Sequence, residues 1–465
     1  VWLFWERGVL WLHASHGFWY FGFFFVSLQE NVNKITMATI RLISLGCSKN
    51  TVDSEVIIGN LQQAEHEILD EHSPKNPQVV IINTCGFIGD AKEESIKYIL
   101  QAEHLRNKHR TEKLIVMGCL VQRHQDELAH EFPSVDAWFG VHQRDELLAM
   151  LSENFEKTDV HTRVLSTPEH YAYLKIAEGC DRSCSFCAIP LIRGKHISRT
   201  IEDLVEEATI LANKGVREII LISQDVTYYG VDLYGSKKIA ELTQKISEVD
   251  GIEWVRLNYL YPHQFPMDLL TVMAENPKVC EYIDIPFQHI STRILQSMKR
   301  VSTKEETYHL IKTIREKLPN AALRTTLIVG YPGETEEEFE ELKTFVNDIK
   351  FDRLGVFKYS AEEGTPAFAL SDDVSDEVKQ ERMDEIMEIQ HDISLEKNEA
   401  KVGKKLRVIT DRYEAEYVVG RTMQDSPEVD NEVLILDENE DLELGKFYDV
   451  EITEANAFDV IGVIV

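Results

Sequence analysis

Three cysteines on one short loop constrain this chain more than any other feature. Cys180, Cys184 and Cys187 lie within Gly179-Cys-Asp-Arg-Ser-Cys-Ser-Phe-Cys-Ala-Ile-Pro190. The spacing C-x3-C-x2-C supplies three thiolates to one point. A cubane 4Fe–4S cluster has four irons, so three thiolates leave one iron open to a substrate or cofactor, whereas four-cysteine ligation mainly serves electron transfer. The loop reads as a reaction site. A structural zinc site is a second reading, but it needs a fourth ligand from another Cys or His pair. The nearest candidates, His161 and His196, make no such pair. Ordinary core cysteines are the third reading.

The chain around this loop has 465 residues, room for two or three domains. It is 43% hydrophobic and 28% charged, as expected of a globular protein. Its formal net charge of −31 argues against broad binding to nucleic acid backbones and favours a basic partner. Seven cysteines in a long chain without disulfide-domain character suggest a reducing compartment, hence the cytoplasm. Residues 1–36 stand apart, with four of the six tryptophans and an apolar stretch from Trp11 to Leu28. His13 and His16 interrupt that stretch, so an upstream extension foreign to the fold is expected rather than a membrane anchor.

Three textures follow, predicting a multidomain α/β protein. In 37–160, short apolar runs at Ile40–Leu45, Val79–Ile82 and Leu114–Met117 read as buried parallel strands, alternating with helices such as Asp53–Glu65 and Asp90–Lys108. A cysteine follows each strand: Cys47, Cys85 and Cys119. Carboxyl ends of parallel strands line the ligand crevice, so these three thiols are expected to converge on a second cluster with an open iron. Cys280 has no such context and reads as core.

Residues 166–397 repeat strand then helix six times, with strands at Ala172–Ala177, Arg217–Ile222, Trp254–Tyr259, Tyr282–Ile285, Ala322–Val329 and Leu354–Tyr359. Six units rather than eight predict a partial (β/α)6 barrel, its reactive loops at the strand carboxyl ends. Thr200, Thr303 and Thr335 read as helix caps. Residues 400–465 break into short alternating strands, read as a small antiparallel OB-like β-barrel. In 401–465 seven Lys and Arg face sixteen Asp and Glu, a net of −9, so this module is expected to dock a basic protein surface.

The loop resembles the signature of the radical S-adenosylmethionine (SAM) superfamily, with Phe186 as the aromatic residue before the last cysteine. Six cysteines in order over Met37–Val465 resemble the methylthiotransferase family within it: an amino-terminal cluster domain, a radical SAM barrel and a TRAM domain. The wording Ser44-Leu-Gly-Cys-Ser-Lys-Asn, Asn83-Thr-Cys-Gly-Phe-Ile, Ile222-Ser-Gln-Asp-Val, Tyr229-Gly-Val-Asp and Asp284-Ile-Pro-Phe-Gln-His289 is similar to the branch that modifies an aspartate of ribosomal protein S12. Ser48 departs from that branch's usual proline.

This resemblance implies two 4Fe–4S clusters, one on Cys47, Cys85 and Cys119 and one on Cys180, Cys184 and Cys187. It implies SAM as cofactor, with contacts expected from Phe186, Ser223, Gln224, Asp225, Arg324 and Thr326. It also implies an electron donor such as flavodoxin or ferredoxin and a sulfur source that the sequence does not name. The expected reaction places a methylthio group on the β-carbon of the S12 aspartate. Two alternatives stand beside it: methylthiolation of tRNA adenosine, and a non-catalytic iron–sulfur scaffold on ribosomal components.

Overall fold

The run Val79-Val-Ile-Ile82 is apolar on both faces, and the strand it forms, Val79–Thr84, is buried throughout at the centre of a parallel sheet. In a computed structural model this sheet has five strands in the order Glu67–Ile68, Thr39–Ser44, Val79–Thr84, Lys113–Gly118 and Ala137–Phe139. All four pairings are parallel. The structure describes residues 37–465 except 109, 153–154 and 438–441; of residues 1–36 it describes only the backbone of strands Trp2–Glu6, Val9–Ala14 and Gly17–Phe18. The apolar stretch Trp11–Leu28 therefore lies largely outside the described residues. Among the described residues no helix is long and apolar enough to cross a membrane.

Helices cover both faces of this sheet. Ser48–Gln63 and Arg144–Leu151 bury Ile57, Leu61, Leu147 and Leu148 against one face; Gly89–Asn107 and Cys119–Glu131 bury Ile99, Leu120 and Leu128 against the other. Strand order reverses between Thr39–Ser44 and Val79–Thr84, the position where open α/β sheets leave their ligand crevice. The two edge strands, two and three residues long, were not expected from the sequence. The first helix also begins at Ser48, five residues earlier than its apolar periodicity suggests. Cys47 occupies its N-cap with extended backbone, and its carbonyl accepts from the N–H groups of Asn50 and Thr51 at 2.8 and 3.1 Å. Ser48 is thus the first helical residue, a position that favours proline without requiring it, and the helix starts there with serine in place.

The middle segment forms two three-stranded parallel sheets. Tyr171–Lys175, Glu218–Ile222 and Trp254–Leu257 make one; Tyr282–Asp284, Ala322–Val329 and Arg353–Lys358 make the other. Hydrogen bonds from Leu260 N to Asp284 O (2.8 Å) and from Val255 N to Lys278 O (2.8 Å) join them. Within these sheets the first and last strands each pair on one side only, so six strands give an incomplete barrel. Thr200, Thr303 and Thr335 accept from the N–H three residues on, and Glu306 and Glu338 complete capping boxes.

The last domain is a closed barrel of Lys405–Glu414, Tyr417–Thr422, Glu432–Leu436, Asp459–Ile464 and Phe447–Ala455. Four pairings are antiparallel, and Glu432–Leu436 runs parallel to Asp459–Ile464. It docks on the first residues of the middle-domain strands. Tyr171 donates to Glu428 (3.0 Å), Tyr282 donates to Asp430 (2.6 Å), and the Trp254 and Phe447 rings meet edge to face at 4.8 Å. Arg353 ion-pairs with Asp425. Arg256 bonds Glu218 at 2.7 Å, and Arg421 forms an ion pair with the same carboxylate. Cys280 packs beside them among Trp254, Tyr282, Ala322 and Ile409, as a core residue. This seating leaves the carboxyl ends of the strands to other elements.

Glu218 is fully buried between two guanidinium groups. Its replacement by Ala should destabilise the docked domain by about 3–5 kcal/mol, because two buried cations lose their partner. Proteolysis along a urea gradient should then cut near 399–405 at lower urea than in the parent chain. An unchanged profile would show that packing, not this ion network, holds the domains together.

Candidate functional site

The first strand of the barrel ends at Lys175, and the cysteine loop follows. A two-residue ladder between Ala177–Glu178 and Ile197–Ser198 pins the base of the loop. Its backbone is held by Cys180 N to Gly194 O (3.0 Å), Ser185 N to Met298 O (2.9 Å) and Ala367 N to Ser185 O (2.7 Å). Phe186 packs among Ile294, Met298, Tyr331, Tyr359 and Ala367, fixing the residue between Ser185 and Cys187. All three thiols are half-buried, and each of the three pairs is close enough to interact electrostatically. Burial pushes Cys180 up to about 11 and Cys187 up to about 12, so without metal both hold their protons. Metal binding must displace those protons.

Two arginines flank this triad. Arg182 donates Nε to Asp225 at 2.8 Å and stacks over the Tyr261 ring at 4.2 Å. Arg300 lies over the same ring at 4.3 Å and places Nη1 3.8 Å from Cys184 Sγ. Neither arginine was singled out in the sequence. The stacking on Tyr261, whose ring is buried, prearranges positive charge beside thiols that must ionise.

Cys47, Cys85 and Cys119 come together as the strand-end pattern suggests. Cys85 and Cys119 are buried while Cys47 is exposed, and all three pairs interact electrostatically. Two glycines make the approach possible. Gly46, at φ +90°, faces Cys85 so closely that a Cβ there would lie 2.7 Å from its Cβ and 2.9 Å from its Sγ. Gly118, at φ +106°, precedes Cys119, and a Cβ there would meet Asn83 Oδ1 and Thr84 O at 2.6 Å. The surrounding protein opposes ionisation of Cys47, but Lys49, Arg193 and the N–H groups of Asn50 and Lys49 outweigh it and bring its pKa below the ordinary thiol value. Burial raises Cys85 to about 11 and also raises Cys119.

Helix Ile189–Arg193, which starts two residues after Cys187, packs Ala188 and Ile192 against Cys119. The two triads therefore share a wall. On the same face Val52 of the first helix covers Tyr173, Ile220 and Ile222 of the barrel strands, and Lys49 Nζ sits 3.2 Å from the Tyr259 ring centroid. Tyr259 itself has φ +67°, strained backbone just beyond the third strand.

The expected cofactor contacts divide by position. Ser223 follows the second strand, fully buried, with its Oγ unpartnered. Gln224 donates Nε2 to Glu178 at 2.9 Å while its Oε1 is buried without a partner. Asp225 accepts from Arg182 and from Thr227 Oγ1 (2.6 Å). Gln288, not foreseen, adds another unpartnered buried oxygen at φ +73° after the fourth strand. Thr326 is half-buried midway along its strand. Arg324 lies elsewhere on its strand from Thr326. It is the third residue of an eight-residue strand, and its guanidinium is held by Asp284 (3.0 Å) and by Asp430 of the last domain (3.2 Å), away from the cysteine loop.

No three His, Cys, Asp or Glu side chains among the described residues converge as a single metal ion requires. His161 bonds Asp203 and His196 bonds Ser198, so neither completes a zinc site with the loop. Each triad instead gathers three thiols that sense one another, with an arginine against one sulfur of each. Such a donor set fits a polynuclear iron–sulfur cluster, with Ser223, Gln224 and Gln288 left over as acceptors for a polar cofactor.

Comparisons with known proteins agree with this layout. Residues 174–346 match the radical SAM superfamily, residues 39–140 the uncharacterized protein family UPF0004, and residues 402–465 the TRAM domain. Proteins named ribosomal protein uS12 methylthiotransferase RimO are similar over nearly the whole chain. That of Phocaeicola vulgatus is 51% identical over 423 residues, covering 91% of this chain and 98% of its own. That of Bacteroides thetaiotaomicron is 51% identical over 424 residues, 90% of this chain and 97% of its own. Among solved structures, the radical S-adenosylmethionine methyltransferase TsrM from Kitasatospora setae, with cobalamin and a 4Fe–4S cluster bound, aligns at TM-score 0.51 and 14% identity. The alignment covers 71% of this chain and 77% of that one, a likeness of fold alone.

Gly46→Ala tests the cradle of the amino-terminal triad. Anaerobic reconstitution should load about eight irons on the parent chain and about four on the variant. Gly215→Ala, at a positive-φ glycine with nothing within 4 Å, should keep the full complement. Full iron in Gly46→Ala would contradict the arrangement.

Proposed function

Because the chain belongs to the radical SAM family of ribosomal protein uS12 methylthiotransferases, we propose that it places a methylthio group on the β-carbon of an aspartate in that ribosomal protein. The observation that carries this reading is the pair of three-thiol sites sharing one wall: one for generating a radical, one for carrying sulfur. Cys180, Cys184 and Cys187 would hold a 4Fe–4S cluster with SAM, which would supply one-electron chemistry able to break an unactivated C–H bond, and Cys47, Cys85 and Cys119 would hold a second cluster as the source of the sulfur.

The protein's own residues bind, shield and orient. Phe186 anchors the loop so that its three thiols keep their spacing. Ser223 Oγ, Gln224 Oε1 and Gln288 Oε1 are the acceptors left for polar groups of SAM at the strand ends. Asp225 acts one step back, by holding Arg182 against the loop. Thr326, half-buried on the fifth barrel strand, is proposed as a further contact to SAM. The Val52 side of the first helix screens the strand ends from water, which a reactive intermediate requires.

The substrate class follows from charge. A net of −31, with the carboxylate excess continuing through the last domain, favours a basic protein over an RNA backbone. This disfavours the tRNA alternative. A scaffold would be better served by four-cysteine ligation than by two open triads. Reduction calls for a small donor such as flavodoxin or ferredoxin, and the reducing cytoplasm suits seven free thiols.

The reconstituted chain, given SAM, sulfide and a reductant, should add the mass of one methylthio group to purified uS12 and leave tRNA unchanged. Mass added to tRNA adenosine, with uS12 unmodified, would overturn the substrate assignment.

A further inference from the structure

One side chain lies between the two triads. Arg193 ends the short helix that follows Cys187, and its guanidinium is 3% exposed. Nη1 donates to Asp53 Oδ2 at 2.9 Å and to both carboxylate oxygens of Glu178 at 3.1 and 3.0 Å. Nη2 donates to Asn50 Oδ1 at 2.5 Å and lies 3.5 Å from Cys119 Sγ. Lys175 bridges the same two carboxylates, Asp53 and Glu178. Glu178 in turn accepts from Gln224 at the end of the second barrel strand.

Asn50, the first partner of Nη2, is itself a hub. Its Nδ2 donates to Leu45 O (2.8 Å), two residues before Cys47, and to Thr84 O (3.1 Å), immediately before Cys85. Its Oδ1 lies 3.7 Å from Cys119 Sγ. One fully buried amide therefore touches the approach to all three amino-terminal cysteines, and Arg193 takes its remaining acceptor. A planar five-donor fork can satisfy this pattern; a lysine ammonium supplies the charge but cannot span both sets of partners.

We infer that Arg193, acting through Asn50, is a positioning residue: it locks the amino-terminal triad to the radical loop and sets the electrostatic environment of the cluster that triad holds. This rests on the reading of Cys47, Cys85 and Cys119 as a cluster site. A cluster on three thiolates adds negative charge beside Asp53 and Glu178, and Arg193 lies between them, with Lys175 on the same two carboxylates and Lys49 acting on Cys47. Without Arg193 the reduced, more negative state of that cluster is the more disfavoured state, so its midpoint potential falls.

The test uses the full chain with Cys180→Ala, Cys184→Ala and Cys187→Ala, so that only the amino-terminal cluster loads. Iron content and an EPR-monitored redox titration are measured for Arg193→Gln and Arg193→Lys in this background. Arg193→Gln should shift the potential to more negative values, and Arg193→Lys should restore most of the shift while binding less iron than the parent. If Arg193→Gln loads too little iron to titrate, the converse background (Cys47→Ala, Cys85→Ala, Cys119→Ala) decides. Full iron on the barrel triad there supports the assignment; loss from both triads means general unfolding and overturns it. Parent-like potential and iron content in both variants would also overturn it. If the parent background binds no iron at all, the cluster reading of the amino-terminal triad fails, a different result from failure of the Arg193 assignment.

Discussion

Parallel strands send all their carboxyl ends to one side of a sheet, and the two α/β domains of this chain depend on that constraint. The amino-terminal sheet delivers Cys47, Cys85 and Cys119 to one crevice because each ends or follows a parallel strand. The incomplete barrel delivers the Cys180 loop, Ser223, Gln224 and Gln288 to its own carboxyl rim. Facing the two rims toward each other creates the shared wall where Ala188 and Ile192 meet Cys119. The chemistry is thus a consequence of topology, with the cofactors' reactivity placed by where strands end.

The opposite rim of the barrel has the opposite task. There the first residues of the strands carry Glu218, Arg353 and Tyr282, and the last domain meets them with Arg421, Asp425 and Asp430. Buried ion pairs of this kind stabilise little relative to an apolar contact of similar shape. They do fix orientation, since each buried carboxylate is met by partners from both domains or from both sides of the seam. The acidic domain is therefore held at a defined place relative to the reactive rim, as positioning a basic protein substrate requires.

Much of this was legible in the sequence because it is written in local patterns. Cysteines at strand ends, six repeats of strand and helix, and Thr caps all act over a few residues, and all three appear in the fold. The edge strands Glu67–Ile68 and Ala137–Phe139 escaped because two or three partly exposed residues carry no periodicity. Arg324 pairs with Asp430 of the last domain because strand membership alone does not say which rim a residue is near, and it is the third residue of its strand. The contact between Arg193 and Asn50 was invisible for a different reason. It spans 143 residues of chain, and although Asn50 closes the run after Cys47, nothing local names Arg193 as its partner.

The central claim is that two clusters face each other across one wall. The most direct measurement is the EPR spectrum of the fully reduced chain, set against the summed spectra of the two variants that each lack one cysteine triad. Magnetic coupling between neighbouring paramagnets should broaden the parent spectrum beyond that sum. A parent spectrum that superposes on the sum would contradict the shared site.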